Sequence, residues 1–149
     1  MKLLISLTMA GFLPFAAMAQ AAEAGPQDLT PLQAIDVNLN DFLWKKRPVV
    51  VFADNENDPR YRDQVQFLQE QQQEMIKRDV VVVVDANPED NSDLREKLRP
   101  RGFMMVLIDK DGGVVLRKPF PWNVRELSRA IDSLPLRQLE IRDRRALGN

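Results

Sequence analysis

Three carboxylates at alternate positions, Asp54, Glu56 and Asp58, are the residues best placed for chemistry, directly after a run of apolar residues. Alternating carboxylates can bind a hard cation such as calcium. The EF-hand calcium pattern needs glycine at the sixth loop position and glutamate at the twelfth, where this chain has Pro59 and Val65. We therefore expect this loop to be solvated and Asp58 to cap the helix that follows it.

A second acidic segment, residues 85–96, has side-chain oxygens at positions one, three, five, nine and twelve of a calcium loop. Position six is Asp90, where the sharp turn requires glycine, and no helix is predicted before the loop. The alternative is a solvated loop that caps a short helix. We favour that alternative and predict no metal site in this chain.

The two acidic loops also allow acid–base chemistry. Asp54, Glu56 and Asp85 could approach one another, since the strands that precede them are predicted to be neighbours. Two carboxylates can catalyse glycoside-type hydrolysis when burial separates their pKa values. The sequence does not show such burial, and loop carboxylates are usually solvated. A hydrolase therefore stands as an alternative hypothesis.

Cations occur beside aromatic or apolar residues in two further places. Trp44 and the three cations after it, ending at Arg47, could form a cation–π surface or hold an anionic partner. The alternative, which we favour, is that Trp44 packs in the core while the cations border the first strand. The basic tail around Arg142, Arg144 and Arg145 could touch anionic lipid, but we expect a frayed, solvated terminus. The candidate ligand or partner surface comprises Trp44, Arg47, Asp54, Glu56, Asp58 and Asp85.

The residue types that are missing exclude much chemistry. The chain has no cysteine and no histidine. It therefore cannot perform dithiol redox or imidazole catalysis, or build metal centres on those ligands. A net charge of −1 and an aromatic share of 7% give no basis for nucleic-acid binding. We predict no cofactor, and 149 residues indicate a single domain.

The start of the chain predicts export. Met1-Lys2 is followed by an apolar run over residues 3–19 that ends in Ala17-Met18-Ala19, a pattern typical of a cleaved signal peptide. A retained membrane anchor is the alternative, although the run is short for a span. We expect a periplasmic protein without stable membrane insertion after cleavage. The predicted parts are a signal peptide over 1–19, a flexible lead-in or short helix over 20–38, a main domain over 39–142 and a basic tail over 143–149.

Hydropathy periods predict strand, helix, strand, helix, β-hairpin and helix in the main domain. Pro48–Ala53 and five consecutive valines are buried parallel strands joined by a long helix. Pro135 is expected to end or bend the last helix. The predicted strands are 48–53, 80–84, 103–108 and 114–117; the predicted helices are 59–78, 92–98 and 124–134, with a short helix within 32–44.

This order is that of the thioredoxin-like fold: an α/β domain with a four-stranded mixed sheet flanked by helices. Three segments in the right order, Phe42–Pro48, Leu107–Gly113 and Ile131–Arg137, resemble the bacterial domain-of-unknown-function family 4174. The resemblance implies a small exported protein and no known activity. Thioredoxins carry their cysteine pair where this chain has the segment from Asp54 to Pro59. Met104 falls near the place of their cis-proline, so both halves of a redox site are missing.

These observations favour an exported, non-enzymatic binding or adaptor protein on a thioredoxin-like scaffold. Its expected partner is an envelope protein or a small ligand, and not a nucleic acid. Two alternatives stay open. One is a metal- or carboxylate-dependent hydrolase that uses the acidic loops, and the other is a structural envelope component that assembles with itself.

Overall fold

The computed structural model describes residues 28–148, so the predicted signal peptide and residues 20–27 of the lead-in lie outside the described residues. Five strands form one mixed sheet in the order β1-β3-β2-β4-β5. The strands are β1 (Leu32–Gln33), β2 (Arg47–Phe52), β3 (Val80–Asp85), β4 (Met104–Ile108) and β5 (Val114–Lys118). The helices are α1 (Pro59–Glu70), α2 (Gln72–Ile76), α3 (Asp93–Leu98), α4 (Val124–Asp132) and α5 (Pro135–Ala146), with 3-10 turns at Ala34–Asp36, Leu39–Phe42 and Pro88–Asp90.

The central strand β2 is buried along its whole length. It pairs in parallel with β3 and antiparallel with β4, and β4 pairs antiparallel with β5. Alternate β2 side chains face opposite cores. Val49 and Val51 pack in the core that includes residues of α1, α2 and α4, while Val50 and Phe52 pack in the core that includes residues of α3. Apolar side chains on both faces explain why this strand is a continuous apolar run.

The sheet has a fifth strand that the sequence pattern does not predict. The short helix expected within residues 32–44 is present as two 3-10 turns, and before them Leu32 and Gln33 pair in parallel with Val83 and Val84. Backbone pairing decides this, because the N–H and C=O groups on the outer side of β3 need partners. Two residues are too few for a visible alternation of apolar and polar side chains.

Two helices also differ from the prediction. The long helix expected over 59–78 is interrupted at Gln71, which has φ −122° and ψ 37°, so that it forms α1 and α2. Next to the break, the Gln72 side chain accepts a hydrogen bond from the backbone N–H of Leu29 at 3.1 Å. α4 ends shortly before Pro135, as expected, but Pro135 also begins α5, a helix that the sequence pattern does not predict. The tail expected to be frayed is therefore helical as far as Ala146. Between residues 28 and 148, no helix has the length and apolar character needed to cross a membrane.

Candidate functional site

The six candidate residues do not form one surface. Trp44 and Arg47 lie at the amino end of β2, whereas Asp54 follows its carboxyl end. β2 and β3 are parallel, so Asp85, the last residue of β3, lies at the same end of the sheet as Asp54. Glu56 and Asp58 belong to that carboxyl end as well, in the segment between Asp54 and α1. The structure thus separates the acidic candidates from the aromatic and basic ones.

Asp85 is a buried structural carboxylate. It accepts a hydrogen bond from the Ser92 hydroxyl at 2.6 Å and pairs with the Arg95 guanidinium at 2.8 Å. The same guanidinium donates to the backbone carbonyls of Ala53 and Asp85 and lies 5.4 Å from the ring centroid of Phe52. Asp85 therefore orients Arg95, which satisfies carbonyls at the ends of two neighbouring strands. Its carboxylate is engaged inside the protein.

Asp58 caps α1, in the role that the sequence predicts. Its carboxylate accepts the Arg60 backbone N–H at 2.9 Å and pairs with the Arg60 guanidinium at 2.8 Å. Hydrogen bonding by the Arg60 side chain lowers the pKa of Asp58 below its usual value. A carboxyl group with a lowered pKa stays ionised at neutral pH, so Asp58 is a poor general acid.

Asp54 and Glu56 remain exposed at the carboxyl end of the sheet. Glu56 and Asp85 contribute to one cleft of about 180 Å³, together with Gln33, Asn87 and Asp90. The cleft lies beyond the carboxyl ends of the parallel strands β1 and β3, where open α/β sheets usually place ligands. Within residues 28–148, no three carboxylates converge closely enough to hold a metal ion.

The loop after β5 carries a feature that the sequence reasoning missed. Gln64 of α1 is fully buried, and its amide donates to the Trp122 carbonyl at 2.9 Å and accepts the Trp122 N–H at 2.8 Å. The Lys118 ammonium lies 4.3 Å from the Trp122 ring centroid. Phe120 lies between Lys118 and Trp122 in the sequence and is flanked by two prolines. It keeps 52% of its surface exposed. The segment Pro-Phe-Pro-Trp is the sequence feature from which this loop could have been singled out.

Strand register places this loop at the carboxyl end of β2. Lys118 is opposite Met105, and Met105 is opposite Val51, so the residues after Lys118 lie beyond the end of β2. Phe120 therefore belongs to the same end of the sheet as Asp54 and Glu56. We call this end, with Asp54, Glu56, Phe120 and the cleft beside Asp85, the carboxyl-end face.

At the opposite end of the sheet, Arg47 is fully buried, which corrects its placement on a partner surface. Its Nε donates to Asp109 at 2.9 Å, its Nη1 to the Arg78 carbonyl at 3.0 Å and its Nη2 to Glu140 at 2.9 Å. A guanidinium offers five donors in a planar fork and can serve several acceptors at once. Arg47 thereby ties β2 to β4 and α5.

Glu140 anchors α5 to this buried arginine. Burial by itself would raise the pKa of Glu140, but hydrogen bonds from Arg47 and Lys110 outweigh it and lower the pKa to about 2. Lys110 pairs with Glu140 at 2.8 Å, and Arg137 pairs with it at 3.2 Å. These ion pairs hold α5 at residues 137 and 140, and the helix continues from there to Ala146.

Trp44, and not Arg47, is the exposed residue at this end of the sheet. The expectation that Trp44 packs in the core is therefore wrong. It is 68% exposed, and its φ of 62° lies in the left-handed region. Its N–H donates to the Lys110 carbonyl at 2.7 Å, which fixes the turn before β2. Because a β-carbon is crowded in this conformation, we estimate a cost of about 1–2 kcal/mol for a residue other than glycine.

Solved structures similar to this chain are thioredoxins and peroxiredoxins. Chloroplastic thioredoxin z is 22% identical, with a TM-score of 0.52, over 68% of this chain and 91% of that one. Reduced 2-Cys peroxiredoxin of Plasmodium vivax is 16% identical, with a TM-score of 0.54, over 65% and 82%. Desulfothioredoxin of Desulfovibrio vulgaris Hildenborough is 19% identical, with a TM-score of 0.50, over 69% and 97%. At these identities the likeness shows the fold alone.

Comparison with curated proteins gives no match. The family model described as Domain of unknown function (DUF4174) matches residues 38–140, well over half of the chain. This match covers β2 to the middle of α5 and includes the three segments on which the sequence resemblance rests. The chain therefore belongs to the DUF4174 family and has a thioredoxin-like fold.

Proposed function

We propose that this protein is a non-enzymatic binding or adaptor protein that contacts a partner protein through its carboxyl-end face. The observation that carries the proposal is Phe120, a half-exposed aromatic side chain on a loop that the buried Gln64 amide holds in place. A large apolar side chain on a rigid loop loses little conformational entropy on binding. Aromatic side chains of this kind are typical anchors of protein interfaces.

The rest of this face has the composition of an interface rim. Asp54 and Glu56 are exposed carboxylates at the same end of the sheet as Phe120. An apolar anchor with a charged rim is the common anatomy of a protein interface. The expected partner surface is therefore an apolar pocket that accepts Phe120, bordered by basic side chains.

The chemistry of the chain supports binding over catalysis. Without cysteine, the chain has no thiol for the redox reactions of its structural neighbours. Of the carboxylates in the hydrolase alternative, Asp85 is buried in an ion pair, which leaves Asp54 and Glu56 exposed. The hydrolase hypothesis keeps the sequence pattern as its support, and the envelope-component hypothesis predicts stable self-assembly.

We also propose, from residues 1–19, that the protein acts outside the cytoplasm on an envelope protein or a small ligand.

The first test is photo-crosslinking in intact cells from a benzophenone amino acid at position 120. A matched control carries the same probe at position 139, because Leu139 is 47% exposed but lies on α5. We expect a discrete adduct from position 120 that is absent from position 139. The charge reversal Glu56→Lys should remove the adduct, since it repels a basic rim.

Two results would contradict the proposal. One is an equal set of adducts from positions 120 and 139, which indicates collision without a defined face. The other is turnover of a hydrolase substrate panel by the purified protein that the substitution Asp54→Asn abolishes, which would support the hydrolase instead. Native mass spectrometry of the gently isolated protein separates a partner of several kilodaltons from a small ligand.

A further inference from the structure

The Trp44 turn presents an indole to solvent on a rigid backbone. Besides the bond from Trp44 N–H to the Lys110 carbonyl, the N–H groups of Lys45 and Lys46 both donate to the Phe42 carbonyl at 3.0 Å. Asparagine or glycine would adopt the left-handed conformation at position 44 more readily than tryptophan does. Strained residues of this kind persist where the surrounding structure holds them and often serve function.

An apolar groove of about 400 Å³ opens beside this turn. The groove runs along the first half of β3, on the side of the strand that faces β1. β1 pairs only with Val83 and Val84, so within the described residues no strand covers residues 80–82 on that side. Lys46, two residues after Trp44, lines the groove and places the two features next to each other. The groove is lined mainly by Leu29, Leu32, Ile76, Val80 and Val81, with Asp28 and Thr30 also in its wall.

We propose that a second copy of this chain covers the groove, so that Trp44 of each subunit enters the groove of the other. Anchor and groove are neighbours on one surface, and a single two-fold axis can therefore form both contacts at once. The charges are complementary as well. Lys45 is exposed beside the anchor and Asp28 is exposed at the groove, so each subunit can pair a cation with the other's carboxylate.

The area involved indicates a weak and reversible dimer. A tryptophan side chain buries roughly 150–250 Å² in a protein interface, so the two indoles supply about 300–500 Å². Stable interfaces bury on the order of 1,200–2,000 Å² in total. This self-association uses the opposite end of the sheet from the carboxyl-end face and does not depend on the proposed function.

The test combines sedimentation velocity with tryptophan fluorescence of the purified protein. Because Trp122 is the only other tryptophan, a Trp122→Phe background isolates the signal of Trp44. Over roughly a hundredfold range of concentration, we expect the sedimentation coefficient to rise from monomer to dimer. The emission of Trp44 should shift to shorter wavelength over the same range, because the indole leaves water. If Trp122→Phe unfolds the protein, sedimentation of the unmodified chain still decides the question.

Three variants locate the interface. Trp44→Asn should weaken dimerisation by about tenfold or more, as loss of an anchor does, while the melting temperature stays equal or rises. Leu32→Lys should weaken it similarly, because Leu32 lines the groove and is 39% exposed. Leu139→Lys is the matched control for an exposed leucine away from the groove, and it should dimerise like the wild type. Lys45→Glu should also weaken the dimer, and the double variant Lys45→Glu with Asp28→Lys should dimerise again.

A mixing experiment tests the reciprocal arrangement. Trp44→Asn lacks the anchor but keeps its groove, whereas Leu32→Lys keeps the anchor but has a blocked groove. Their mixture should form a heterodimer with one intact contact, at concentrations where each variant alone is monomeric. The proposal is overturned if the wild type stays monomeric throughout, if Trp44→Asn dimerises unchanged, or if Leu139→Lys disrupts the dimer equally.

Discussion

Replacing Glu140 with glutamine should destabilise the protein strongly at neutral pH and about half as much at pH 3. Glu140 joins α5 to the buried Arg47, with their side chains 2.9 Å apart across 93 residues of sequence. Its side chain keeps only 22% of its surface exposed, so solvent screens the interaction little. Glutamine keeps the shape but removes the charge that Arg47, Lys110 and Arg137 face.

The magnitude follows from the pKa of Glu140. Its pKa falls from 4.5 to about 2 in the folded protein. Each unit corresponds to about 1.4 kcal/mol, so ionised Glu140 contributes roughly 3 kcal/mol. A lowered pKa means that this stabilisation is fully present above pH 4.5 and is lost as the pH falls towards 2. The difference between wild type and variant should shrink to about 1.4 kcal/mol at pH 3 by the same linkage relation.

Urea denaturation of the wild type and Glu140→Gln between pH 7 and pH 3 measures this difference. Glu96→Gln is the control, because Glu96 is an exposed residue of α3 and its substitution changes the net charge equally. The control should track the wild type within about 0.5 kcal/mol, as exposed substitutions usually do. A difference for Glu140→Gln that stays constant with pH, or that equals the control at pH 7, would refute the assignment of the stabilisation to this carboxylate.

Two further substitutions test the carboxyl end of the sheet. Gln64→Met preserves the volume of a buried side chain but leaves the Trp122 N–H and carbonyl unpaired, so it should destabilise by about 2–3 kcal/mol. Hydrogen exchange at the Trp122 amide should accelerate in that variant but not in Gln69→Met, an exposed control on the same helix. Asp58→Ala removes the cap of α1 and should cost about 1 kcal/mol in urea denaturation, whereas Asp63→Ala on the exposed side of α1 should cost less. Equal effects of Asp58→Ala and Asp63→Ala would show that capping contributes little.

The strands were predictable because their cause is local. The residues of Pro48–Ala53 and the five valines at 80–84 are apolar on both faces, and this is possible only for strands covered on both sides. The Asp58-Pro59 pair predicts the start of α1 within one residue, because capping and a fixed proline φ act at neighbouring positions. The two-residue β1 escaped prediction, since it is defined by pairing with a strand about fifty residues later.

The candidate site was less predictable, because burial of a polar group depends on partners that are distant in sequence. Asp85 looked like a loop carboxylate until Arg95 and Ser92 were seen to enclose it. Gln64 gave no signal by itself, since its partner Trp122 is 58 residues away. Phe120 was missed for the same reason, because its importance comes from the loop that Gln64 holds.

By itself, the sequence determined which chemistry this protein cannot perform and where its buried strands lie. Those properties depend on residue types and on neighbours along the chain. Trp44 and Arg47 are three positions apart, and only the tertiary structure decided which of the two side chains is buried. Arg47 is buried because β4 and α5 bring Asp109 and Glu140 to it, and a buried charge is tolerated only when such partners surround it. Trp44 stays in solvent because the hydrogen bond to the Lys110 carbonyl holds its backbone in a left-handed turn.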